Sequence, residues 1–197
     1  PSTPLTEAGV EQYRSMIGFL LWVARCTRSD ILFSVQVLAR YQAKEPTLFL
    51  LNQVKRIFKY LNSTLDCCLR YSKDSNTVLS FLVDSDYAAD ISDSKSYCGV
   101  VASFCGACVL AQCIKQPVTA LSTVEAEFYA IAAGVRAEAY LRQLLEFLYA
   151  AEVCCTTIGC DSQGAIRFAE NPSQSRPRRR RHRGSRATPP PVPVRLG

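Results

Sequence analysis

The sequence predicts an α/β fold: a mixed sheet with flanking helices, preceded by a helical segment. Three observations carry this. Apolar residues recur at helical spacing up to about residue 66, and from Cys68 the period becomes that of strands. Beyond residue 76 the order reads three strands, a helix, a strand and a helix. A chain of 197 residues with 48% hydrophobic content can bury a real core.

Taken in order, Glu11 to Ala24 places Tyr13, Ile17, Leu20 and Leu21 on one helical stripe. Asp30 is placed to cap a second helix through Phe33, Val37 and Leu38, and Pro46 suits the first turn of a third. That third helix carries Leu51, Val54, Ile57, Phe58 and Leu61 on one face and Lys55, Arg56 and Lys59 on a solvated one. Strands are expected at 68–73 and 78–84, separated by an Asp-Ser-Asn turn, and at 96–104 and 109–115, flanking a four-residue Cys-Gly-Ala-Cys connection. A helix from Ser122 toward Tyr149 would be roughly 42 Å long, which predicts a bend or break near Gly134. A short strand at 156–160 and a helix at 162–170 complete the ordered part.

Charge divides the chain sharply. The net charge is +6, yet eight of the 23 Lys and Arg lie in residues 171–197, which contain no Asp or Glu. The first 170 residues therefore hold 15 basic against 17 acidic side chains. The tail also has six Pro and only Val192, Val194 and Leu196 as strong apolar residues, so it is expected to be disordered. Arg178, Arg179, Arg180, Arg181 and Arg183 form a nucleic-acid-binding run or a nuclear address. No secretory signal is visible, and the apolar run Met16 to Ala24 is too short to span a bilayer. Ten irregularly spaced Cys fit reduced thiols in an intracellular protein, cytoplasmic or nuclear. Cys105, Cys108 and Cys113 form only half of a zinc pattern, and the single His182 lies in the tail.

Three acids are candidates for chemistry. Asp84 and Asp161 end apolar, strand-like runs, and Glu127 lies in the first turn of the long helix. Carboxylates converging from separate elements hold hard cations, and two-metal sites of this kind displace at phosphodiesters. Neighbouring acids have simpler uses. Ser122-Thr-Val-Glu125 is a capping box, which gives Glu125 a structural role, whereas Glu127 adjoins the apolar Phe128, Ile131 and Ala132. Asp86 shares a strand face with Asp84, and Asp90 and Asp93 read as solvated turn residues. Asp161 could instead cap the helix starting at Ser162.

Several stretches together resemble copia-type long-terminal-repeat retrotransposon polyproteins. They are Tyr-Arg-Ser-Met-Ile-Gly at 13–18, Thr-Arg-Ser-Asp-Ile at 27–31 and Asp-Ser-Asp-Tyr-Ala-Ala-Asp at 84–90. Lys-Gln-Pro-Val-Thr-Ala-Leu-Ser-Thr-Val-Glu-Ala-Glu-Phe-Tyr at 115–129, Cys-Asp-Ser-Gln-Gly-Ala-Ile at 160–166 and Asn-Pro at 171–172 follow in the family's order. The resemblance implies that residues 1–66 are the end of a reverse transcriptase, 67–171 a ribonuclease H-like domain, and 172–197 the basic tail. It also implies cleavage of the RNA strand of RNA–DNA hybrids with two magnesium or manganese ions, held by Asp84, Glu127 and Asp161.

The chain departs from the family at two places. The family carries a fourth aspartate soon after Asn-Pro, in a basic segment with histidine, but no acid follows Glu170. The adjacent Asp-Asp pair of the polymerase is also missing. The expectation is a weakened or inactive nuclease without polymerase activity. The alternative is a non-catalytic remnant that at most binds nucleic acid through its tail. The tail itself is read either as a native binding arm or as the out-of-frame product of a frameshift after Asn-Pro.

Overall fold

The computed structural model of the protein describes residues 3–42, 45–73, 78–149 and 156–171. The Arg-rich run at 178–183 and the Asp-Ser-Asn turn lie outside these residues. The chain divides into two compact units, Pro1–Tyr71 and Ser72–Gly197. Among the described residues no helix is long and apolar enough to cross a membrane.

The first unit is helical. Helix α1 (Glu7–Cys26) starts four residues earlier than its apolar stripe suggests, because the Thr6 hydroxyl caps it by accepting from the Gly9 N–H. It buries Tyr13, Ile17, Leu20 and Ala24, while Trp22 stays exposed. The Tyr13 hydroxyl donates to the Leu38 carbonyl at 2.7 Å, tying α1 to α2 (Leu32–Ala39). Burial, with a smaller effect from Tyr41, pushes that phenol up to about 12. Helix α3 (Leu48–Ser63) buries the expected Leu51, Val54 and Ile57 and leaves Lys55, Arg56 and Lys59 exposed.

Two expectations for this unit need correction. Pro46 precedes the first turn of α3, and Thr47 is the cap. Asp30 does not cap α2 either. It lies in a 3-10 turn, Ser29–Ile31, where Arg28 grips its carboxylate with two bonds of 3.0 and 2.8 Å and the Tyr60 hydroxyl donates a third at 2.9 Å. Pairing with a nearly buried guanidinium outcompetes capping here, because an unpaired Arg28 would be costly.

The second unit is a four-stranded mixed sheet in the order β3-β2-β1-β4, covered on one face by α4. Strands β1 (Ser80–Asp86), β2 (Tyr97–Phe104) and β3 (Ala107–Lys115) are antiparallel neighbours, and β4 (Thr157–Gly159) runs parallel to β1. β1 alternates strictly, burying Phe81, Val83 and Ser85 and exposing Leu82, Asp84 and Asp86. Phe81 and Val83 pack with Cys98, Val100 and Ala102 against Ala130, Ile131, Ala133, Ala137 and Leu141 of α4 (Thr123–Tyr149). Each large side chain so buried contributes about 1.5–3 kcal/mol. Helix α5 (Gln163–Glu170) packs beside α4, with Phe168 edge-on to Phe128.

The predicted element order after residue 76 holds, but several details do not. Residues 68–73 form no strand, although the Ser72 N–H donates to the Cys105 carbonyl at 3.0 Å. The β2–β3 connection is two residues rather than four. Cys105 and Gly106 both take positive φ (51° and 82°), the mirror-image turn whose twist suits a hairpin, and a register shift beside Ala102 and Ser103 absorbs the extra residue. Helix α4 runs without interruption through Gly134, which is buried against the sheet instead of marking a bend.

Candidate metal centre

Parallel pairing brings two acids to one edge. Leu82 of β1 registers with Gly159 of β4, and two residues further along each strand direction come Asp84 and Asp161. α4 begins near the same acids, whose charges act on its Glu127, and its start is fixed by a local cap. Ser122 Oγ accepts from the Glu125 N–H at 3.2 Å, and Glu125 Oε2 accepts from the Leu121 N–H at 2.7 Å. The capping box therefore forms, with its return bond reaching one residue before the cap. Glu125 is occupied in this way, and Glu127 is left to point elsewhere.

Glu127 is only 9% exposed. Burial first, and then the negative charges of Asp84 and Asp161, push its carboxyl above the usual range. The Ser85 N–H and the Cys160 thiol offset part of that shift, the thiol lying 3.8 Å from Glu127 Oε2. Among the described residues no Lys or Arg pairs with Asp84, Glu127 or Asp161. Uncompensated like charges around a buried carboxyl are the environment that a divalent cation neutralises, so this donor set fits one.

The three acids do not share equally in the site. Ligand atoms of Glu127, Cys160 and Asp161 all lie within 4.8 Å of one another, and Asp84 is outside that group. Asp84 is near enough for its charge to act on Glu127, and its Oδ1 accepts from the Ser85 N–H at 2.8 Å. Asp161 is not the cap of α5: Ser162 takes that place, its hydroxyl accepting from the Ala165 N–H at 3.3 Å. The Asp161 carboxylate is thereby released from the competing structural use.

Cys160 is the member that sequence reasoning missed. The general reading of the cysteines as reduced thiols passes over it; its place between the end of β4 and Asp161 is the available signal. Burial, and then the charges of Glu127 and Asp161, push its thiol up, so it is protonated near neutral pH. Asp90 departs from the expectation of a solvated turn residue. It is 5% exposed, paired with Lys115, and bonded by Ser92 and Tyr97, so it organises the β1–β2 loop. Only Asp93, which Lys115 meets at 2.8 Å, keeps the expected exposure.

A cavity of about 510 Å³ lies elsewhere, within the first unit between α2 and α3. Ile31, Val37, Leu38, Ile57, Arg56 and Tyr60 help to line it, and none of the three acids does.

Comparison with known proteins gives this arrangement a context. The chain is 34% identical over 161 residues to the retrovirus-related Pol polyprotein from transposon TNT 1-94 of Nicotiana tabacum, covering 81% of the chain and 12% of that protein. It is 29% identical over 161 residues to the corresponding polyprotein from transposon RE2 of Arabidopsis thaliana, covering 82% and 11%. It is also 29% identical over 129 residues to the secreted RxLR effector protein 161 of Plasmopara viticola, covering 66% of the chain and 90% of the relative. No family model matches the chain, and no solved structure matches it. The chain thus spans about an eighth of the length of the Pol polyproteins it matches. Several such polyproteins align along about four-fifths of the chain at 29–34% identity, so the chain is similar to one segment of the Pol polyproteins of copia-like retrotransposons.

Proposed function

We propose that residues 67–171 are a ribonuclease H-like nuclease module, weakened in this copy, and that residues 1–66 are the end of a reverse transcriptase region. One observation supports this reading above the rest: Glu127 is nearly buried, and the charges of Asp84 and Asp161, from two other elements, both act on it. Asp84, Glu127 and Asp161 would hold divalent cations, magnesium or manganese. Bound there, a cation pair supplies activation of the attacking water and stabilisation of the leaving oxygen. The protein's own contribution is to hold the three carboxylates at one sheet edge and to keep Glu127 shielded. Substrate selection, an RNA–DNA hybrid, follows from duplex shape and 2′-hydroxyl contacts rather than base reading.

Reduced activity is the expectation because residues 171–197 contain no Asp or Glu where the family carries its fourth aspartate. That same fact favours a second reading, a non-catalytic retrotransposon remnant that binds nucleic acid through Arg178–Arg183. Incubating the full chain with a labelled RNA–DNA hybrid separates them. Magnesium-dependent cleavage of the RNA strand that Asp84→Asn abolishes supports the nuclease. Binding that weakens steeply with salt, without cleavage, supports the remnant.

A further inference from the structure

Gln116 follows β3 directly and is only 2% exposed. Its amide nitrogen donates to three separate elements: Ser85 Oγ of β1 at 3.3 Å, Cys98 Sγ of β2 at 3.0 Å and the Ala126 carbonyl of α4 at 2.9 Å. Two amide hydrogens serve three acceptors, so one is shared. The orientation of the amide is fixed by Ala126, because a flipped group would set its oxygen against the backbone carbonyl. The cost of that orientation is visible: Gln116 Oε1 is buried and has no partner among the described residues.

The two outer anchors of this side chain adjoin the acids. Ser85 follows Asp84, and Ala126 precedes Glu127. One buried amide thus bridges the end of the strand that carries Asp84 and the start of the helix that carries Glu127. We propose that Gln116 is a positioning residue that sets the separation between Asp84 and Glu127 at the acidic centre. The inference rests on the metal-dependent reading above and adds a residue outside the carboxylate set. Partners that orient metal ligands typically change affinity 10- to 100-fold when removed.

The test uses the full chain with Mn²⁺ alone as probe, followed by electron paramagnetic resonance and calorimetry. Gln116→Met keeps the volume and removes the donors; it should raise the Mn²⁺ dissociation constant at least tenfold. Val100→Ala, which loosens the core without touching the clamp, should leave that constant within twofold. An unchanged constant in Gln116→Met, or equal losses in both variants, overturns the proposal. Should Gln116→Met not fold, Ser85→Ala decides in its place: a rise of threefold or more supports the clamp and no change overturns it. If the unaltered chain binds no Mn²⁺, the metal-dependent reading falls, and the clamp is judged on hydrogen exchange of the metal-free protein. Loss of at least tenfold protection at the Ser85 and Glu127 amides in Gln116→Met then supports it, and unchanged protection overturns it.

Discussion

Gly134 of α4 and Val83 of β1 approach so closely that a Cβ on the glycine would stand 2.6 Å from the valine Cγ1. Val83 is buried and β-branched, so it has little freedom to turn aside. α4 therefore lies as low on the sheet as a glycine allows. Glu127 is seven residues earlier, two turns along the same face. The glycine contact thus sets how deeply the start of α4, and Glu127 with it, approaches the end of β1.

Gly134→Ala accordingly sets two effects against each other. Alanine gains about 1 kcal/mol of helix propensity over glycine. Overpacking a filled helix–sheet contact costs about 1–3 kcal/mol, and here the clash is with a rigid side chain, so destabilisation should win. Combining it with Val83→Ala removes the clash and leaves the propensity gain. Denaturant melts of the four proteins in this cycle should show Gly134→Ala changing sign, from destabilising alone to neutral or stabilising beside Ala at 83. The same sign in both backgrounds would refute the contact.

How much was legible beforehand depends on how local each cause is. The cap of α4 could be read directly, because Ser122 and Glu125 satisfy donors within four residues of themselves. The strand order could be read from period alone. Gly134 could not: an isolated glycine in a long helical pattern reads as a bend, and its reason is a valine 51 residues away. Asp30 likewise reads as a cap, and the partners that claim it instead are Arg28 and a Tyr60 thirty residues away. The two-residue hairpin was hidden because Cys105 takes a positive φ that its type rarely adopts. In the site, Asp84, Glu127 and Asp161 stood out as carboxylates at element ends, whereas Cys160 joined them only through packing.

In the first unit, Asp30→Asn should lower stability. Arg28 is nearly buried and would lose its ion pair and one of the two bonds to residue 30, because the asparagine oxygen still accepts one, while the bonds to the Thr64 carbonyl and hydroxyl remain. Breaking a fully buried pair costs about 3–5 kcal/mol. The Asp30 side chain is 40% exposed, so screening reduces the expected loss to about 1–2 kcal/mol. The Arg28 guanidinium holds the Asp30 carboxyl below its ordinary value, with burial opposing and Tyr60 assisting. Its contribution is therefore present above the unfolded value near 3.9 and is lost as pH falls through the folded value. Thermal melts of wild type and Asp30→Asn should converge at acid pH and separate above it.

Glu127 should behave with the opposite sign in the metal-free chain. Its carboxyl is raised on folding, so its contribution is complete below the unfolded value near 4.3 and disappears as pH climbs through the folded value. Glu127→Gln removes the ionisation and keeps the shape. The variant should melt at a higher temperature than wild type at pH 7, and the gap should close as pH approaches 4. A gap that is constant across this range would mean that burial and the neighbouring acids do not perturb Glu127.

Divalent cations should reverse that penalty. Magnesium bound at this edge would neutralise the charges that Asp84 and Asp161 direct at Glu127, so on the proposed reading millimolar magnesium should raise the melting temperature of the chain at pH 7. Asp84→Asn and Asp161→Asn should each reduce the magnesium-induced rise, since each removes a carboxylate oxygen from the site. Cys160 gives the informative contrast. Its thiol lies within the same group of ligand atoms but is held protonated by burial and by the adjacent acids, and magnesium prefers oxygen. Cys160→Ser should therefore leave the magnesium shift intact while reducing the shift produced by cadmium, which favours sulfur. Differential scanning fluorimetry of the four proteins with each metal measures both effects. If magnesium produces no shift in the folded wild-type chain, these acids do not form a magnesium site. If Cys160→Ser removes the magnesium shift, the thiol is instead needed to seat Glu127.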